Sequence, residues 1–220
     1  MKAAPHTLTV FDEELEQLRA LVCAMGGRVE AAVADAVAAL VQGDPARAAA
    51  VVADDARIDA QAAEVERTTI HLIALRSPLA DDLREVMAAF KISGLLERMG
   101  DCAKTVAHQV DSLGDCRGLA QLKTLAAMGG EAAAMVKAAL DAFAHRDAAA
   151  AAGVAALDDV VDRYRRCIWQ GLIALMAEDS RSITAATQLM FAAQKLERIG
   201  DHAVGIADMV RFAAGEGRDG

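Results

Sequence analysis

The segment Leu96-Glu97-Arg98-Met99-Gly100-Asp101 recurs one hundred residues later as Leu196-Glu197-Arg198-Ile199-Gly200-Asp201. Leu72-Ile73-Ala74-Leu75 recurs at the same offset as Leu172-Ile173-Ala174-Leu175. Nearer the N-terminus, Met25-Gly26-Gly27 returns as Met128-Gly129-Gly130, and the Gln42-Gly43-Asp44 break as His145-Arg146-Asp147, both at an offset of 103. Several elements repeating in register mark the duplication of one supersecondary unit. The three-residue change of offset lies within or beside the second helix of one copy. Two copies of about 100 residues account for the whole chain of 220.

Composition says what the unit is made of. Alanine supplies 52 residues, against three prolines, one Trp, one Tyr and five Phe. Alanine has the best helix propensity, whereas strands favour β-branched and aromatic residues. Asp44-Pro45 and Ser77-Pro78 each read as an N-capping side chain before a proline at the first helical position. Pro5 precedes the first amphipathic run, and Leu113-Gly114-Asp115 breaks the chain between the copies. Helices are therefore predicted near 8–42, 45–75 and 78–112, then near 117–144, 147–177 and 181–213. Short connections make sequential helices antiparallel neighbours. The expected fold is all-α: two antiparallel three-helix bundles, residues 1–113 and 114–220, related by a pseudo-twofold axis. Helices of about 30 residues span about 45 Å. Residues 216–220 read as a frayed tail.

Charge and hydropathy exclude several classes of function. The net charge of −9 comes with no Lys/Arg cluster able to displace counterions from nucleic-acid phosphates. The longest apolar run, Ala148 to Leu157, is ten residues and mostly alanine, too short to cross a bilayer. The N-terminal segment turns acidic within twelve residues and has no apolar signal core. Cys23, Cys102, Cys116 and Cys167 are widely spaced and read as reduced, mostly packed thiols. A cytoplasmic location is expected.

The chemistry-bearing residues are carboxylates. Glu97 and Asp101 share one helix face, away from the Ile92, Leu96, Met99, Ala103 and Val106 stripe, with Lys104 and His108 continuing their row. Asp55 and Asp59 form a second such pair, flanking a Val51/Ile58/Val65 stripe. With the turn taken at Ser77, Asp59 lies 18 residues before it and Glu97 lies 20 after; Asp55 lies 22 before and Asp101 lies 24 after. Around Ser180, Asp162 is 18 before, Glu197 17 after, Asp158 22 before and Asp201 21 after. A two-residue difference is about 3 Å of rise. Each hairpin thus gathers four acids at one level.

Acids at i,i+4 repel by a few tenths of a kcal/mol, so something must compensate. One reading is solvation with help from Arg57, Arg98, Arg163 and Arg198. The other is a hard cation, since carboxylates without thiols suit Mg, Mn, Fe or Ca rather than structural zinc. His202, beside Asp201, reads as a polar flank or a peripheral ligand, and its counterpart is Cys102. His71, His108 and His145 read as ordinary polar residues. Met99, Met128 and Met135, with other methionines at helical apolar positions, read as gap-filling core. No G-x-S-x-G, P-loop, H-E-x-x-H or E-x-x-H occurs, which disfavours catalysis. A metal-storage protein, a metal-dependent enzyme and a plain helical scaffold stay open on these residues alone.

The segments Leu196 to Ala203 and Leu96 to Ala103 resemble the doubled signature of the PhoU family. Leu72 to Arg84 with Phe90 to Ile92, and Asp158 to Tyr164, are similar to further family segments; the resemblance spans residues 8–213. It implies two three-helix bundles and E(D)-x-x-x-D pairs that bind multinuclear metal clusters. The matching positions are Asp55, Asp59, Glu97 and Asp101, then Asp158, Asp162, Glu197 and Asp201. The ions implied are divalent or trivalent: Fe, Mn, Zn or Mg. It further implies a non-catalytic negative regulator linking the phosphate ABC transporter, through its ATPase subunit, to a sensor histidine kinase. A homodimer and only peripheral membrane association through partners are also implied. The sequence departs from the family pattern at Thr105 and Gly205, where Asn is usual, and at Cys102, where His is usual.

Overall fold

The computed structural model describes residues 5–113 and 119–215, with side chains from residue 10 onward. Cys116, the Gly114-Asp115 break and the 216–220 tail lie outside the described residues. Six long helices follow in order: α1 (Pro5–Gln42), α2 (Pro45–Arg76), α3 (Asp81–His108), α4 (Ala120–His145), α5 (Ala148–Glu178) and α6 (Ile183–Ala213). Short 3-10 turns occur at Val110–Ser112 and Ser180–Ser182, and no strand occurs among the described residues. The fold is the expected pair of antiparallel three-helix bundles.

The duplicated break residues perform the same local task in each copy. The Asp44 side chain accepts hydrogen bonds from the backbone N–H groups of Ala46 and Arg47, both at 3.0 Å, and Pro45 follows at N1. In the second copy Asp147 accepts from the Ala150 N–H at 2.9 Å. Each cap answers donors that the first helical turn would otherwise leave unpaired. The residue before each cap is left-handed: Gly43 at φ 61° and Arg146 at φ 54°.

Ser77-Pro78 behaves differently from the expected cap. Ser77 ends α2 in the left-handed conformation, φ 46°, its N–H donating to the Ile73 carbonyl at 3.1 Å. A residue before proline is disfavoured in the right-handed helical region, so α2 stops there. Ala80 is also at positive φ, 50°, and α3 starts only at Asp81. The turn therefore centres on Leu79, two residues beyond Ser77. Measured from there, Asp59 and Glu97 lie 20 before and 18 after, Asp55 and Asp101 24 before and 22 after. The expected levels survive the correction.

Within each repeat all three helices pack on one another; across the repeats α1 packs on α4 and α3 on α6. The four inner helices are thus α1, α3, α4 and α6, with α2 and α5 outside. Buried apolar side chains from all six form one contiguous core, including fully buried Met25, Met99, Met128 and Met135. The duplicated glycines explain the close inner packing. A Cβ on Gly26 would lie 2.5 Å from Leu140 Cδ1, and one on Gly129 would lie 2.6 Å from Val37 Cγ2. Gly27 and Gly130 meet nothing within 4 Å. Only the first glycine of each Met-Gly-Gly is needed for the α1–α4 approach.

A charged network also joins the repeats. Arg19 of α1, with its side chain 8% exposed, pairs with Glu16 and with Glu85 of α3. Glu85 in turn accepts Arg146 of the α4–α5 turn at 2.9 Å. Arg28 of α1 grips Asp54 of α2 with one nitrogen at 3.0 and 2.9 Å, and Arg76 grips Glu14 through two nitrogens at 2.8 and 2.7 Å.

Candidate functional site

The eight carboxylates form two sets, one in the α2–α3 hairpin and one in the α5–α6 hairpin. Each set is organised around the glycine of the repeated motif. A Cβ on Gly200 would stand 3.0 Å from Asp158 Oδ1; one on Gly100 would stand 3.0 Å from Ile58 Cδ1 and 3.5 Å from Asp55 Oδ1. The bare backbone of the third helix lets an acid of the second helix close in beside it. Asp55 is buried, 4% exposed, whereas Asp59, Glu97 and Asp101 are exposed. In the second set Asp158, Asp162 and Glu197 are half-buried and Asp201 is exposed. Asp55, expected to flank the Val51/Ile58/Val65 stripe, is buried because it sits four residues from Val51 and three from Ile58 on the core-facing side.

The two sets solve the problem of like charge differently. In the first, Lys104 Nζ lies 2.5 Å from Asp55 Oδ2. That bond to Asp55, aided by the fields of Asp101 and Asp59, holds the ammonium pKa above its ordinary value. Position 204, the counterpart of Lys104, is valine. There Arg165 of α5 stands in, more loosely: Nη2 is 3.6 Å from Asp162 Oδ1 and Nε is 3.8 Å from Glu197 Oε1. Both exceed hydrogen-bond length, and Arg165 Nε is buried without a hydrogen-bond partner. The Arg165 guanidinium lies 6.0 Å from the Trp169 ring centroid. Burial first, then the charges of Asp201, Asp162 and Asp159, push the Asp158 carboxyl above its usual range. Glu197 is raised by burial and by Asp201, with Arg165 opposing and Asp162 and Asp158 adding. All four acids of the second set therefore share one electrostatic field.

Of the four arginines expected to compensate, Arg57 pairs instead with Asp54 at 3.0 Å. Lys104, read only as a continuation of the acidic row, is the counter-ion of the first set. Arg165, Trp169 and the motif glycines also had no assigned part; identical spacing of Gly100 and Gly200 next to each acid was the available signal. His202 is half-buried, and burial, then Arg98 from α3, lowers its pKa. Cys102 is buried and its thiol pKa is raised. Cys23 is half-buried, but Cys167 is exposed, contrary to a packed thiol.

Among the described residues, no three His, Cys, Asp or Glu side chains converge tightly enough, as they stand, to hold a metal ion. The donor chemistry nonetheless fits an oxygen-seeking cation in the second set, where the charges of Asp201 and Asp162 add to burial in raising Asp158 and Glu197 and no ammonium intrudes. The first set carries its own cation in Lys104.

The PhoU domain family matches residues 22–110 and 125–210, one match per repeat. The chain belongs to the PhoU family. It is 46% identical over 209 residues to the phosphate-specific transport system accessory protein PhoU homolog of Zymomonas mobilis, covering 95% of this chain and 88% of the relative. The Caulobacter vibrioides homolog of the same description is 42% identical, covering 94% and 90%. The crystal structure of PhoU from Pseudomonas aeruginosa superposes with a TM-score of 0.88 at 37% identity, covering 93% of this chain and 98% of that one. The phosphate transport system regulatory protein PhoU from Streptococcus pneumoniae gives 0.87 at 29% identity, covering 93% and 96%. Both family matches include the motif glycine and the acids beside it.

Proposed function

We propose that the chain is a non-catalytic regulator of the phosphate-specific transport system. It links the phosphate ABC transporter, through the ATPase subunit, to a sensor histidine kinase and holds that kinase in its non-activating state when phosphate is plentiful. The observation that supports this reading is the PhoU match in both repeats together with relatives named as accessory proteins of that transport system. The reading places the chain in the cytoplasm as a homodimer, meeting the membrane only through its partners; no helix among the described residues is long and apolar enough to cross one.

In this reading the carboxylate sets bind metal. Asp158, Asp162, Glu197 and Asp201 would hold the ion in the second repeat, and Asp55, Asp59, Glu97 and Asp101 in the first. A bound cation would neutralise the acids and tie the outer helix of a repeat to the inner one. Without it, the same tie is made in the first repeat by Lys104 to Asp55.

The test is deletion of the gene in its own host, with assay of a phosphate-repressed phosphatase. Loss of repression in high phosphate, restored by the gene supplied in trans, is the expected result. Full repression in the deletion strain, with no second copy of the gene present, would remove the regulatory reading. Metal analysis of protein purified without chelator or His-tag tests the carboxylate sets separately.

A further inference from the structure

The repeats differ in one respect that the shared motif conceals. Along the α2–α3 hairpin, beside α6, runs a groove of about 660 Å³, within the size range of binding clefts. Its apolar wall includes Phe90, Leu95 and Met209. It is open because Ala62, Ala63, Gly94 and Gly205 line it. Their counterparts by the repeat offsets are Arg165, Arg166, Gln194 and Thr105, so the corresponding surface of the second repeat is built from larger side chains.

The apolar surface continues past the groove. Phe90 is 38% exposed, and Leu83, seven residues earlier on the same face of α3, is 37% exposed. Ile70, four residues beyond Glu66 on α2, is 60% exposed, and Phe212 of α6 is 37% exposed with Lys91 Nζ 5.3 Å from its ring centroid. From Leu83 to Glu97 the α3 face runs about 21 Å at 1.5 Å per residue, four turns of a docked helix. Exposed apolar surface bounded by charged residues marks interaction sites. The charge is unbalanced: Asp59, Glu66, Glu97 and Asp208 line the groove against Lys91 and Arg98. Glu66 and Asp208 lie outside the carboxylate set; with that set unloaded the groove carries an acidic excess, and with Asp59 and Glu97 neutralised Lys91 and Arg98 balance the remaining two acids, Arg211 Nη1 lying 4.0 Å from Asp208 Oδ1.

We propose that this groove of the first repeat docks an amphipathic helix of a partner protein. The helix lays apolar side chains at i, i+3, i+4 and i+7 spacing against Phe90, Leu95 and Met209. Lysines or arginines along one edge of it face Glu66, Asp208 and Asp59. Because Arg165, Arg166, Gln194 and Thr105 occupy the corresponding positions of the second repeat, one helix binds per chain. The inference goes beyond the regulatory reading and does not rest on it, since it specifies a helix chemistry and not a pathway.

The experiment is selection of helical peptides from a displayed library on the whole protein in chelator, followed by binding measurements on the enriched sequences. Gly94→Gln grafts the second-repeat residue into the groove, and a Cβ there meets nothing within 4 Å, so the fold is retained and circular dichroism verifies it. The expected result is enrichment of basic amphipathic helices that bind one per chain. Their affinity falls at least about tenfold in Gly94→Gln and in Asp208→Lys, and falls with salt. Enrichment of peptides whose binding is indifferent to both substitutions overturns the proposal. So does a lack of any enrichment, or binding of the protein to anionic vesicles that Gly94→Gln abolishes.

Discussion

Gly129 of α4 faces Val37 of α1 so closely that a Cβ there would stand 2.6 Å from one Val37 methyl, 2.9 Å from the other and 3.2 Å from the Val37 Cβ. Val37 is branched at Cβ and cannot swing away. Overpacking of this kind costs about 1–3 kcal/mol, more than the roughly 1 kcal/mol that alanine gains over glycine in a helix. Gly129→Ala should therefore lower the unfolding midpoint, whereas Gly130→Ala, exposed and meeting nothing, should raise it. Gly26→Ala should fall between, because its obstacle is the flexible end of Leu140. Urea melts of the three variants check the order; a Gly129→Ala protein as stable as wild type would refute the account of the repeated glycines.

Lys104 should be the difference between the carboxylate sets. Asp55 is buried beneath it, and a buried charge stripped of its partner costs about 3–5 kcal/mol, reduced here because Lys104 is itself 37% exposed. In chelator, Lys104→Met should be less stable than the wild type. On adding Mn or Mg that variant should recover stability and bind metal at the first set. Calorimetric titration of wild type and Lys104→Met reads both effects. Equal metal affinity in the two proteins would show that the ammonium does not compete.

The second set should respond to pH in the opposite sense from an ordinary ion pair. Asp158 and Glu197 have raised pKa values when folded, so the folded chain holds more protons than the unfolded chain through the carboxylate range. Stability from these groups is present below their unfolded pKa values and is lost as pH rises through the folded ones. In chelator, Asp158→Asn should raise the melting temperature at pH 7 and give little gain at pH 4. A gain independent of pH would assign the effect to packing.

Glu85 should matter more than Glu16, although both pair with Arg19. Glu16 is 69% exposed and Glu85 is 16% exposed. Exposed pairs contribute about 0–1 kcal/mol, while removing Glu85 leaves the buried guanidinium without its inner partner and frees Arg146. Glu85→Ala should cost about 3 kcal/mol and Glu16→Ala under about 1, measured by denaturant unfolding. Equal small losses would mean that the network does not hold the repeats together.

The helices, the repeat and the spacing of the acids are legible in the sequence because each rests on local periodicity and chain distance. The Ser77 turn was misread because an N-cap and a left-handed C-cap before proline use the same residue pair. Lys104 and Arg165 were missed for another reason. Their role depends on where a long side chain ends across a hairpin, and helical spacing fixes only where it starts.

The sequence by itself determined a duplicated all-helical unit of the PhoU family and brought four carboxylates to one level in each copy. Rise per residue and turn position suffice for that. Only the tertiary structure decided that Asp55 is buried, that Lys104 pairs with it in one set while the other has no ammonium, and that small residues open a groove beside the first set. Those outcomes depend on which side chains meet between helices far apart in the chain, where the glycine that admits a neighbour and the valine that replaces a lysine take effect.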